Sequence, residues 1–291
     1  MSTSSPRLLV TGANGQLGRL VIQQLLTRVP ASQIVASVRN VEKSAAVLPA
    51  GIELRQADYG DEASWDAALQ GIDRVLLISS SEVGSRVAQH GNVISAAARA
   101  KVQLIAYTSV LHADVSPLGL AKEHLATEVL LQESGVPFVL LRNSWYTENN
   151  LMGIADALGR GVLVGSSGEG RFASASREDY AAAAAAVLAA KDSHAGKVYE
   201  LAGDDAYTRA ELAQEVSRQA GKPLAYQDMP EAAYRDLLVQ VGLPAPVAEM
   251  LAQSDASAAK SAVFDSGRQL SALIGRPTTP LAASVSEALK S

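Results

Sequence analysis

Cysteine is absent from the 291 residues, which excludes disulfides, thiolate metal sites and a cysteine nucleophile. Its absence leaves the redox compartment undecided. Positive charge is not in excess either: 25 Lys and Arg stand against 30 Asp and Glu, a formal net charge of −5. No broad basic field draws the chain to a phosphate backbone, so nucleic-acid binding is not expected. Long apolar runs are also missing, and residues 1–6 form a short polar lead, so neither a membrane span nor a signal peptide is read. The expectation is a cytoplasmic protein. Neither His112 nor His124 has metal-ligand spacing with other candidate ligands, so no metal is expected. Internal repeats, charge blocks and linkers are lacking too, while 48% hydrophobic content suffices for a substantial core.

What is present is a glycine-spaced turn. The apolar run Leu8-Leu9-Val10 leads into Thr11-Gly12-Ala13-Asn14-Gly15-Gln16-Leu17-Gly18, and Leu17, Leu20, Val21 and Leu25 then recur at helical spacing. The order is strand, turn, helix. Gly12 permits the tight turn, Gly15 lets backbone approach a ligand, and Gly18 lets the helix pack near the strand. The open helix N-terminus would then receive a dinucleotide pyrophosphate on its free N–H groups and positive dipole end. A second strand at residues 33–38 completes a βαβ unit.

That strand ends in Val38-Arg39-Asn40, where a NAD-specific fold would carry a carboxylate for the ribose 2′-hydroxyl. An arginine there can instead hold a 2′-phosphate in fork geometry, which argues for NADP, the other reading being a solvated strand end. A third strand, residues 52–56, runs into Asp58, either at the adenine edge or as a turn carboxylate, and a helix begins near Asp61. Residues 74–78 read as a buried central strand that stops at Ser79-Ser80-Ser81. Ligands of open α/β sheets sit beyond such carboxyl ends, so these serines are expected beside the nicotinamide ribose, unless they are a plain turn.

A helix over residues 86–100 and a strand over 104–108 follow, then a loop, residues 109–114, holding His112. His124 opens the next helix. His112 and His124 are the histidines of this half expected near a cleft, though each reads more readily as a surface or cap residue than as a catalyst. Strand 138–142 leads to Asn143-Ser144-Trp145-Tyr146-Thr147-Glu148. That stretch offers amide bonds for the nicotinamide and an aromatic wall for a flat substrate, or else a helix cap with an aromatic plug. Beyond residue 150 the doubly wound pattern loosens. A nearly all-alanine helix starts at Arg177, a late strand spans 197–201, and helices at 209–220, 231–241 and 246–254 surround a short strand at 224–227. The fold class is thus α/β, a doubly wound parallel (Rossmann-like) sheet with a smaller, mainly helical lobe. Residues 1–150 form the dinucleotide domain with later elements of 151–203 returning to it; residues 204–291 form mainly the substrate lobe, both sharing one cleft.

Short-chain dehydrogenases carry a Tyr-x-x-x-Lys helix whose lysine lowers the tyrosine pKa. None of the eight tyrosines here has lysine four positions on. The motifs above, with Gln56-Ala57-Asp58-Tyr59-Gly60, Ser79-Ser80-Ser81-Glu82-Val83-Gly84, Ala106-Tyr107-Thr108-Ser109 and Tyr199-Glu200-Leu201-Ala202-Gly203-Asp204, resemble the NmrA-like branch of atypical short-chain dehydrogenases, and most closely its NAD(P)H:quinone oxidoreductase type. The resemblance covers nearly the whole chain. It implies NADP(H) held by Gly12, Ala13, Asn14, Gly15, Gln16, Leu17, Arg39, the three serines, residues 143–148 and Arg177, and a small lobe over a quinone. Relative to isoflavone-reductase-like members, His124 stands where a catalytic lysine is expected.

A quinone is a strong electrophile, so its two-electron reduction needs positioning more than a strong acid, and the loss of Tyr-x-x-x-Lys is compatible with direct hydride transfer without flavin. Asn143 and Tyr146 are the candidate catalytic residues, with His112 behind them and Trp145 shaping the site. The competing reading is an NADP(H)-binding redox sensor that signals to a protein partner without turnover. The sequence leaves open a monomer or a homodimer.

Overall fold

The computed structural model describes residues 5–290, so the first four residues of the polar lead and Ser291 lie outside the described residues. The first half alternates strand and helix: β1 (Leu8–Val10), α1 (Gln16–Leu26), β2 (Ile34–Val38), α2 (Val41–Ala45), β3 (Glu53–Gln56), α3 (Glu62–Ala68), β4 (Arg74–Leu77), α4 (Arg86–Arg99), β5 (Leu104–Val110), α5 (Ala121–Glu133) and β6 (Phe138–Asn143). The second half holds α6 (Thr147–Asn150), α7 (Ile154–Arg160), β7 (Val162–Gly165), α8 (Arg177–Ala189), β8 (Val198–Leu201), α9 (Arg209–Ala220), β9 (Ala225–Asp228), α10 (Glu231–Gln240), α11 (Ala245–Ala258), α12 (Gln269–Ile274) and α13 (Leu281–Ala288).

Seven strands form one sheet in the order β3-β2-β1-β4-β5-β6-β8. The β1–β2, β2–β3, β1–β4, β4–β5 and β5–β6 pairs are all parallel. The order reverses between β1 and β4, which is the switch point where doubly wound sheets bind ligands. Sequence explains the elements locally. Every residue of β1 and β2 is buried, as expected of strands covered on both faces. Asn40 caps α2 by accepting from the Lys43 N–H, and Asp61 caps α3 by accepting from the Ala63 N–H. Thr208 and Glu211 form a reciprocal capping box on α9.

Two elements, β5 and α11, run beyond their expected ends. Strand β5 does not stop at Thr108, because Ser109 and Val110 pair in register with Arg142 and Asn143 of β6. The loop begins only at Leu111, and α11 likewise extends past residue 254 to Ala258.

The chain divides into two units. The first comprises residues 1–113, 123–143 and 177–199. Its core includes Leu9, Trp65, Leu77, Val93, Ile105 and Tyr107. The alanine-rich α8 belongs here, with Ala181 to Ala185 all buried, and Arg74 donates to the Leu188 and Ala190 carbonyls at its end, 2.9 and 2.6 Å away. The second unit comprises residues 114–122, 144–176 and 200–291, thus taking in stretches well before residue 204. Its two strands, β7 and β9, pair in parallel. Asp255 anchors it, accepting from Arg209 Nη2 at 2.7 Å and from the Ser166 N–H at 2.7 Å, while the Arg209 guanidinium lies 4.8 Å from the Phe172 ring centroid.

Candidate functional site

Within the first unit, the loop from β1 to α1 has the construction its spacing predicts. Gly12 is left-handed at φ 58°, and its carbonyl accepts from the Gly15 N–H at 2.9 Å. A Cβ on Gly18 would collide with that carbonyl oxygen and lie 2.8 Å from the Ala13 Cα, so the helix can sit this close only with glycine there. Gly15 occupies the N-cap of α1 with no side-chain cap and no acidic residue in the first turn, leaving free N–H groups and an uncompensated dipole.

Two buried amide oxygens fit a polar ligand. Asn14 Nδ2 donates to Ser44 Oγ at 2.6 Å, but its buried Oδ1 has no hydrogen-bond partner; nor has the buried Oδ1 of Asn143, at the carboxyl end of β6. Unpaired buried acceptors are costly, and a donor such as a ribose hydroxyl or a carboxamide N–H would satisfy each. Arg39, just past β2, is exposed. The loop, the two acceptors and an arginine in this position fit a phosphorylated dinucleotide.

Asp58 serves the turn: its Oδ1 accepts from the Gly60 N–H at 2.8 Å, and its carbonyl accepts from Trp65 Nε1 at 2.8 Å. The following residue, Tyr59, was not singled out by sequence. Its hydroxyl donates to the Ile78 carbonyl and lies 2.6 Å from Thr11 Oγ1, which also accepts from the Ile78 N–H. This joins the glycine turn to the end of β4. Burial pushes the Tyr59 phenol well above its ordinary range, so it remains a neutral donor.

The serine turn is not uniform. Ser81 is exposed and Ser79 half-buried, but Ser80 points inward and its hydroxyl donates to Gln89. Its N–H donates to His90 Nε2 at 2.9 Å. His90 is therefore a third histidine at this end of the sheet, beyond the two expected. Its Nδ1 lies 2.9 Å from Thr127 Oγ1. Desolvation, reinforced by the Arg86 charge, lowers its pKa to about 3.

His124 is neither a surface nor a cap residue. It is buried, with Nδ1 2.8 Å from the Tyr107 hydroxyl, and burial with the Arg86 charge lowers its pKa to about 3. Next to it, Glu128 accepts from Arg142 at 3.0 and 2.7 Å and from Ser109 Oγ at 2.5 Å, a buried fork that fixes β6 just before Asn143. His112 occupies the turn after β5 in a left-handed conformation, φ 51°. Arg177 is the first residue of α8 and half-buried.

In the second unit, the remaining expected residues line the entry to α6. Ser144 donates through Oγ to the Val263 carbonyl at 3.0 Å, the Trp145 carbonyl accepts from Ala175 N–H, and Tyr146 forms a parallel bridge with Ala175. Thr147 is buried with Oγ1 2.9 Å from Ser174 Oγ. Trp145 and Tyr146 are half-buried and Glu148 is exposed.

Comparisons agree with this architecture. The model of the NmrA-like family matches residues 4–287. Quinone oxidoreductase 2 of Escherichia coli (strain K12) is 56% identical over 279 residues, 96% of this chain and 97% of that protein. The crystal structure of an NADPH-dependent quinone oxidoreductase from Escherichia coli complexed with NADPH matches with a TM-score of 0.94 at 56% identity, covering 97% of this chain and 99% of that one. Triphenylmethane reductase of Citrobacter sp. complexed with NADP(H) matches with a TM-score of 0.92 at 38% identity, covering 97% and 99%. With its glycine turn, its reversed strand order and a family match over nearly its full length, the chain belongs to the NmrA-like family.

Proposed function

We propose that this protein is an NADPH-dependent quinone oxidoreductase that passes a hydride directly to a quinone, giving the hydroquinone without a flavin. The observation that carries the reading is the uncapped glycine turn at the sheet's switch point, in a chain 56% identical over 279 residues to Escherichia coli quinone oxidoreductase 2. NADPH, when bound, supplies the hydride from its nicotinamide ring.

The chain's own residues bind and orient. Residues 12–17 receive the pyrophosphate on the α1 N-terminus, and Asn14 Oδ1 accepts from a sugar hydroxyl. Arg39 pairs with the 2′-phosphate, and Asp58 lies towards the adenine. Ser79, Ser81 and the backbone of the serine turn lie along the nicotinamide ribose, Asn143 takes the carboxamide, and Arg177 adds a further contact. Residues 144–148 complete the binding set, with Trp145 and Tyr146 walling a flat substrate. Asn143 and Tyr146 are assigned to catalysis, with His112 as a secondary candidate. The second unit serves as the substrate lobe. A cytoplasmic location fits a chain in which, among the described residues, no helix is long and apolar enough to cross a membrane. Sedimentation separates a homodimer from a monomer.

Positioning supplies most of the rate, because effective molarity rather than acid strength limits reduction of an electrophile this reactive. Anaerobic mixing of protein, NADPH and a simple quinone tests this. Reduced-nicotinamide absorbance should fall far faster than in the uncatalysed mixture. Saturable NADPH binding without such oxidation would favour the sensor and sink the enzyme.

A further inference from the structure

Every polar group of Ser80 is held by one face of α4. Its N–H donates to His90 Nε2 at 2.9 Å, its carbonyl accepts from Arg86 Nε at 2.8 Å, and its hydroxyl donates to Gln89 Oε1. Residues 86, 89 and 90 stand at i, i+3 and i+4, so one helical turn presents all three to the same peptide. Each is itself fixed. Arg86 lies 3.3 Å from Glu123 Oε2, Gln89 Nε2 donates to Glu82 Oε2 at 2.7 Å, and His90 Nδ1 meets Thr127 at 2.9 Å. All three are buried.

We propose that Arg86, Gln89 and His90 form a clamp of positioning residues that fixes the turn after β4 against the coenzyme, the second half of this statement resting on the coenzyme reading above. Because Nε2 accepts from Ser80, His90 must be the neutral tautomer with its proton on Nδ1, donated to Thr127. Burial, reinforced by the nearby guanidinium of Arg86, disfavours a second proton, so the acceptor persists at neutral pH. The clamp also explains why the middle serine faces inward while its neighbours do not.

Two substitutions separate the bonds of His90. A glutamine amide reaches the place of Nε2 and keeps an acceptor for Ser80; an asparagine amide reaches only the place of Nδ1 and keeps the Thr127 bond. Both lose one buried hydrogen bond, so their melting temperatures should fall alike. Amide exchange at Ser80 without coenzyme should stay slow in wild type and His90→Gln and accelerate about tenfold or more in His90→Asn. The NADPH Kd should rise about tenfold in His90→Asn alone. Equal Ser80 exchange in all three proteins overturns the clamp while wild-type NADPH binding stands. Faster exchange in His90→Asn with an unchanged Kd overturns the turn's assignment to the coenzyme.

Discussion

Arg39, for which a ligand-reading role is proposed, and the buried histidines, which hold the fold, call for different tests. Arg39 is exposed at a strand end, where its charge contributes little to stability. Replacing it by alanine should weaken NADPH binding by about 1.5–3 kcal/mol, the scale of a charge-assisted hydrogen bond, and leave NADH nearly unchanged. Parallel titrations measure this, and equal losses for the two coenzymes would remove the phosphate role. His90 and His124 have the opposite character. Burial and the Arg86 charge hold both near a pKa of about 3, against 6.5 for an unperturbed histidine. Between those values the unfolded chain binds more protons than the folded one, so stability falls as pH drops through 6.5 towards 3. Each histidine contributes a slope of up to about 1.4 kcal/mol per pH unit. The melting temperature should therefore decline from about pH 7.5 to about pH 5.5, and His90→Gln should flatten part of that decline. A pH-independent melting temperature across that range would mean that these rings take up protons as readily in the folded state as in the unfolded chain.

At the scale of elements, the glycine turn and the helix after it are one device. Gly18→Ala puts a methyl group into the Gly12 carbonyl and against Ala13, so the loop must open or the helix must move. We expect a loss of about 1–3 kcal/mol in denaturant unfolding, typical of overpacking, together with weakened NADPH binding. Wild-type stability and affinity in that variant would show that α1 can be displaced freely. The same device was the most legible part of the sequence, because each glycine has a separate steric reason to be there. The clamp on Ser80 was harder to read, although a trace of it was present. Arg86, Gln89 and His90 share the helix face of Val93, Ile94 and Ala97, all buried. Polar residues at buried positions of an amphipathic helix need partners, but which strand end supplies them depends on topology. The burial of His124 escaped for the same reason, since its partner Tyr107 lies 17 residues away on β5. The length of β5 was decided by pairing with β6, which no local propensity records.

Over the whole molecule, the doubly wound fold class was legible because strands and amphipathic helices alternate through β6, and right-handed crossovers leave few topologies open. How the chain partitions was not. Residues 114–122 and 144–176 join the second unit although they lie between elements of the first, and nothing in their composition marks the crossings. The central claim concerns the molecule acting as one: a fixed coenzyme hands a hydride from one face of its ring to a quinone. Oxidising NADPH deuterated at C4 on either face, anaerobically with a quinone, and weighing the recovered NADP tests it directly. The account predicts that one labelled epimer gives wholly unlabelled NADP and the other wholly labelled NADP. Mixed labelling from both, or oxidation no faster than without protein, would contradict it.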